Sequence, residues 1–183
     1  MAGRMRFLLF GLCALLAACA TVPGPEGLEA GGFHVTGRVS VRYGEEAATG
    51  RVVWRHTPAT DDLVISNPIG QGVAQLERRE GLYVLRTHDG ERYAASDPET
   101  LTEQVLGWRL PLTGLPQWIE GAPMPGVPAQ VVAAGDRPKE LRQLGWHIEY
   151  LAWDEASGRP KRLQLTRDDL SIRLAIETWH TGP

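Results

Sequence analysis

The sequence predicts a mainly β fold: an antiparallel sheet of about ten strands, closed or nearly closed on itself, that breaks off once for two short helices. Three observations carry this. Apolar and polar residues alternate over long runs, the period-2 pattern of a strand with one oily and one wet face. The short connections carry turn residues, as in "REG", "HDG", "EASGRP" and "RDD", which suits hairpins. One central stretch changes to helical spacing and has capping residues at both ends.

The first strand is "FHVTGRVSVRY". Phe33, Val35, Val39, Val41 and Tyr43 fall on one side, and His34, Thr36, Arg38, Ser40 and Arg42 on the other. Weaker strands read at 49–56, 62–66, 72–79, 82–87 and 91–95. In "DPETLTEQVLGW" Asp97 reads as a helix N-cap, with Pro98 at the first helical position and Glu99 in the first turn. Leu101, Val105 and Trp108 follow on one helical face, and Gly107 ends it. A second short helix reads at "LPQWIEG", with Pro116 early and Gly121 after it. Strands resume at 129–134 and in "GWHIEYLAW", where Trp146, Ile148 and Tyr150 alternate. They end with 161–167 and "LSIRLAIETW", where Leu170, Ile172, Leu174 and Ile176 oppose Ser171, Arg173 and Glu177. The helices would lie against the sheet's concave side.

The chain start reads as three segments: a signal peptide at 1–18, a lipidated tether at 19–32, and a single domain at 33–183. Arg4 and Arg6 precede an apolar run, Phe7 to Ala17, about half the ~20 residues that a membrane span needs. Leu16-Ala17-Ala18-Cys19 resembles a bacterial lipobox. In lipoproteins of that kind the cysteine thiol takes a diacylglycerol, the signal is cut before it, and the new amino terminus is acylated. The alternative is a plain secretory signal with an incidental cysteine. Of the two cysteines, Cys13 leaves with the signal, so Cys19 has no partner for an internal disulfide. Residues 20–32 are rich in Gly and Pro and read as a flexible tether. Ala20 after the cysteine resembles an outer-membrane address.

Composition narrows the function. The formal charge is −3, and losing Arg4 and Arg6 makes it more negative. No basic block exists, so nucleic acid is not an expected partner. The five histidines show no metal-ligand spacing, and no cofactor is expected beyond the lipid on Cys19. His34 and His147 lie on polar strand faces and read as solvated. Ser40 and Ser171 lack a nucleophile-elbow context, and no phosphate loop appears, so no enzyme is expected. Asp61-Asp62 and Asp168-Asp169 sit beside turns, where aspartate caps backbone. The six tryptophans against three phenylalanines suit either a packed core or the lining of an interior that holds an apolar ligand.

Three stretches, "NPIG" at 67–70, "LGWRLPLTGLPQWIEGAP" at 106–123 and "LGWHIEY" at 144–150, together resemble the outer-membrane lipoprotein receptor LolB family. The lipobox, "GRVSV" and the closing "LAIETW" extend the resemblance over nearly the whole mature chain. It implies an incomplete, open antiparallel β-barrel of about 10–11 strands, with short α-helices packed against the opening. It also implies a monomer anchored in the outer membrane of a Gram-negative bacterium, facing the periplasm. Such a receptor takes triacylated lipoproteins from a soluble LolA-like periplasmic carrier into an apolar cavity and inserts them into the outer-membrane phospholipid. The family's protruding loop matches Asn67-Pro68-Ile69-Gly70, with Ile69 in place of a leucine that takes part in membrane delivery. Expected cavity residues are Trp54, Leu101, Val105, Trp108, Leu110, Leu112, Leu115, Trp118, Ile119 and Trp146, each of which would also serve as ordinary core. Two other readings stay open: a lipid-anchored carrier of another apolar ligand, and a non-catalytic outer-membrane assembly protein with a filled interior.

Overall fold

The computed structural model describes residues 27–183, so the expected signal at 1–18, Cys19 and the tether up to residue 26 lie outside the described residues. Six strands come first: β1 (Phe33–Tyr43), β2 (Glu46–His56), β3 (Thr60–Ser66), β4 (Gly72–Arg79), β5 (Leu82–Thr87) and β6 (Arg92–Ala95). Two helices follow, α1 (Pro98–Leu106) and α2 (Leu115–Ile119). Then come β7 (Gln130–Ala134), β8 (Arg137–Gln143), β9 (Trp146–Trp153), β10 (Pro160–Arg167) and β11 (Leu170–Thr181). All eleven strands form one antiparallel sheet in the order β6-β5-β4-β3-β2-β1-β11-β10-β9-β8-β7.

The order describes two hairpin meanders joined at one seam. β1 pairs β11 from Phe33↔Thr181 to Tyr43↔Leu170, with a bulge between Thr36 and Gly37. At the bulge a Cβ on Gly37 would lie 2.4 Å from the Ala175 carbonyl oxygen, so only glycine lets the strands approach this closely. The ends β6 and β7 each pair with one neighbour only, so the barrel stays open. The chain crosses from one free edge to the other through α1 and α2.

The alternation read from sequence sets the two faces. Phe33, Val35 and Val41 of β1, Val52 and Trp54 of β2, and Ile172 and Ile176 of β11 are buried in one core. The helix signals also hold. Asp97 caps α1 by accepting from the backbone N–H groups of Glu99 and Thr100, and Gly107 closes it in the left-handed conformation at φ 81°. One strand was not foreseen. β8, "RPKELRQ", carries proline and four charged residues among seven, and its pattern shows one inward apolar residue, Leu141. It is a strand because β7 and β9 pair with it on both sides. The last residues of the expected tether are held in place: Gly182 N–H donates to the Gly32 carbonyl, and Arg55 donates to the Gly27 carbonyl at 3.0 Å.

Asp61 departs from the turn role expected of it. It lies within β3, 5% exposed, and accepts from Trp54 Nε1 at 2.9 Å, pairs with His56 Nδ1 at 2.7 Å and accepts from Arg78 Nε. It ties β2, β3 and β4 together at one end of the sheet. Asp62 accepts from Gln75 of β4. Asp168, by contrast, does sit in the β10–β11 turn, at φ 53°.

Removing the Asp61 carboxylate strands a mostly buried guanidinium. Asp61→Ala is therefore expected to cost about 3–5 kcal/mol, and Asp62→Ala, which loses one hydrogen bond, about 1 kcal/mol. Urea unfolding of the two variants checks the difference.

Candidate functional site

The concave face of the sheet is apolar, and the segment between its free edges covers it. Leu101 of α1, then Leu110, Leu112, Leu115, Trp118 and Ile119 are all buried; Val105 and Trp108 pack partly buried against the same core. Trp54 and Trp146 are buried beneath them on β2 and β9. All ten residues expected at the cavity thus face one interior.

Polar side chains fix this cover, and sequence reasoning missed them. Thr102, fully buried on α1, donates from Oγ1 to the Pro98 carbonyl at 2.9 Å and accepts from Leu110 N–H at 2.9 Å, which folds the chain back after the helix. Gln143, buried on β8, accepts from Trp118 Nε1 and Met124 N–H, both at 2.8 Å. Its amide donates to the carbonyls of Met124 and Val127. Tyr150 donates to the Trp118 carbonyl at 3.0 Å, and burial raises its phenol pKa. Gly114 is needed because a Cβ there would lie 2.3 Å from the Trp118 ring. A polar residue at an inward strand position, as Gln143 is in "ELRQ", is the signal that could have found the clamp.

Within the interior lies a wholly apolar void of about 40 Å³. Of the expected residues, Trp54, Trp108, Leu110 and Leu115 border it. Strand residues that were not singled out, among them Val35, Leu63, Ile65 and Ile172, complete its wall. Leu101, Val105, Leu112, Trp118, Ile119 and Trp146 do not border it. Sites that bury a small molecule usually have roughly 300–1,000 Å³, so any long apolar ligand requires the cover to move.

A second feature projects from the β3–β4 connection. The Asn67 side chain accepts from the N–H groups of Ile69 at 3.1 Å and Gln71 at 2.9 Å, and its backbone pairs with Gln71 and Gly70. Gly70 takes φ 88°. This braced turn leaves Ile69 80% exposed. It does not fold back onto the core, and burial gives no reason for an aliphatic residue there.

Other titratable groups lie toward the periphery. His34, expected to be solvated, is half-buried on β1 with its ring 6.0 Å from His180. Burial, then His180 and Arg55, hold its pKa below the ordinary value. His147, expected to be solvated too, is half-buried beside Glu140 at 3.2 Å. At the rim Glu99 of α1 meets Arg167 of the β10–β11 hairpin at 3.1 Å. Burial pushes the Glu99 carboxyl up, and Arg167 offsets this only in part. No group of three or more potential metal ligands occurs among the described residues.

Two outcomes follow. Trp118→Ala removes a fully buried ring and is expected to cost about 3–5 kcal/mol, read in a denaturant melt. Glu99→Gln is expected to raise Tm at neutral pH. The raised carboxyl pKa means that ionisation destabilises the fold, a cost fully present above the folded value and absent below the ordinary one. The gap between variant and parent Tm should therefore close as pH falls below about 4.5.

The comparisons with known proteins agree with this geometry. The family model described as outer membrane lipoprotein LolB matches residues 32–179. The outer-membrane lipoprotein LolB of Chromobacterium violaceum is 38% identical over 95% of this chain and 98% of its own length. That of Azoarcus sp. is 36% identical over 95% of both. Among solved structures, a LolA superfamily protein from Nitrosomonas europaea shares the fold at a TM-score of 0.50 and 10% identity, over 83% of this chain and 86% of its own.

Proposed function

The chain belongs to the outer-membrane lipoprotein LolB family, a non-catalytic family, and from that membership we propose how it works as a lipid-anchored outer-membrane receptor for lipoproteins. Residues 1–18 are removed as a signal, and Cys19 carries S-diacylglycerol and an N-acyl chain. The folded domain thus stays on the periplasmic side of the membrane as a monomer. Its partner is a soluble LolA-like carrier, and its cargo is the acyl chains of triacylated lipoproteins.

The physical problem is the solubility of that cargo. Each methylene left in water costs about 0.8 kcal/mol, so a single long chain costs on the order of 10 kcal/mol. Transfer from one apolar interior to another avoids this barrier. Here the receiving interior is the concave face of the sheet, and acyl chains take the place of the α1–α2 cover. Direction comes from affinity, with the bilayer as the tightest binder.

The observation that carries the delivery step is the exposure of Ile69 on a turn that Asn67 holds rigid. Ile69 and Pro68 dip into the bilayer and open a path for the departing chains. A filled interior would suit an assembly protein, and the void is indeed small; family membership favours the receptor.

Ile69→Glu tests the step. Glutamate does not enter hydrocarbon without losing its hydration. The variant should fold and take cargo from the carrier normally, because position 69 touches neither the core nor the interior. Its release of labelled lipoprotein into liposomes should fall at least tenfold, with cargo accumulating on the receptor. Normal release would overturn the loop's role.

A further inference from the structure

The convex face of the sheet carries a second concavity. A cleft of about 670 Å³ opens across β2, β1, β11 and β10, and the Pro68 ring of the Ile69 loop forms part of its wall. Four arginines line it, Arg38, Arg51, Arg162 and Arg173, and none of its lining residues is acidic. They come from strands far apart in sequence, and register alone brings them together. Arg38 stands directly opposite Arg51 across β1–β2. Ala175 stands opposite both Arg38 and Arg162, and its small side chain leaves the floor open between them. Ser40, opposite Arg173 and Thr49, adds a hydroxyl.

One pair in this arrangement, Arg38 and Arg51, sets like charges face to face. Like charges placed directly opposite on neighbouring strands destabilise a sheet. Arg38 is relieved by Glu177 at 2.7 Å, outside the cleft, and Arg173 donates to Gln164. Among the described residues neither Arg51 nor Arg162 has an ion-pair partner. The chain as a whole is acidic, so the concentration of positive charge here is local. Guanidinium groups match phosphate oxygens in a bidentate geometry. The cleft adjoins the loop that carries Ile69, the most exposed large hydrophobic among the described residues.

We propose that this arginine cleft binds the phosphates of anionic lipid headgroups in the bilayer that Ile69 enters, and so holds the loop at the membrane surface while acyl chains leave. This assignment rests on Ile69 acting as the inserting residue. It adds a polar contact beside the apolar one: the loop supplies depth, and the cleft supplies residence at the surface.

The test uses the full lipidated chain with Ile69→Cys carrying an environment-sensitive dye; Cys19 is acylated and takes no label. The protein is reconstituted into vesicles of phosphatidylcholine alone or with one-third phosphatidylglycerol, and the ratio of inserted to exposed dye is read from its emission. Phosphatidylglycerol should raise that ratio. Each basic residue near an anionic surface contributes roughly fivefold, so Arg51→Gln with Arg162→Gln should lower it about thirtyfold in the anionic vesicles and leave it unchanged in phosphatidylcholine. Arg51→Lys with Arg162→Lys, which keeps the charge but not the bidentate geometry, should restore part of it and shows that a loss in the glutamine pair is not misfolding. Millimolar inorganic phosphate should not compete, because the bilayer presents many headgroups at once; full competition would assign the cleft to free phosphate and overturn the proposal. Equal insertion in both vesicles, insensitive to the arginines, would overturn it while leaving the loop reading intact. A dye that stays in water in every vesicle would remove the loop reading itself, and this assignment with it.

Discussion

The β1–β11 seam is the constraint on which the rest depends. It joins two hairpin meanders into one sheet, and among the described residues it is the only strand pairing between distant parts of the chain. Hairpin pairings need little loop closure, whereas this one brings residues 33 and 181 together. It is also where the backbones approach so closely that Gly37 admits no Cβ. Because the seam lies in the middle of the sheet, the free edges fall at β6 and β7. The sheet curls but does not close, and an apolar concave face is left that water cannot be allowed to wet. The crossing segment then has two duties, to connect the edges and to cover that face.

The elements most legible in sequence were those in which one physical signal spoke alone. β1 alternates, β11 alternates from Leu170 to Ile176, and α1 announces both caps. The Asn67–Gly70 turn could be read because Asn, Pro and Gly each have a backbone reason to be there. β8 was not legible: its charges face solvent, its proline argues against a strand, and only pairing on both sides makes it one. Gln143 was missed, and Asp61 was given a turn role, for a related reason. A polar residue is buried only when partners converge on it, and those partners, Trp118 and Met124 for one, His56 and Arg78 for the other, come from elsewhere in the chain. The arginine cleft is the extreme case. Arg38, Arg51, Arg162 and Arg173 are unremarkable along the sequence and become a site through strand register.

The list of interior residues shows a subtler limit. Helical spacing in 97–121 correctly marks the face that turns inward, yet it does not separate residues bordering the void from those sealed within the packing. That separation depends on where the opposite strands stop. Trp108 and Leu110 meet Val35, Ile65 and Ile172 across the void, while Trp118, two turns of chain later, is locked between Gln143 and Tyr150.

The two halves of the cover are held unequally. α2 and the chain after it are fixed by the four hydrogen bonds of Gln143, by Tyr150, and by Trp118 and Ile119, both fully buried. α1 rests on Leu101 and Thr102, on the partly exposed Val105 and Trp108, and on a Glu99–Arg167 pair whose burial works against it. Of the two, α1 has fewer polar ties to the sheet. The wall formed by Val35, Leu63, Ile65 and Ile172 is faced not by α1 but by Trp108, Leu110, Pro111 and Leu115, so in the loading proposed above it is this stretch that acyl chains would replace. Under that proposal apolar contact is exchanged for apolar contact, so gross terms of several kcal/mol would largely cancel. In the proposed function, a small net term would let cargo both enter from a carrier and leave for a bilayer.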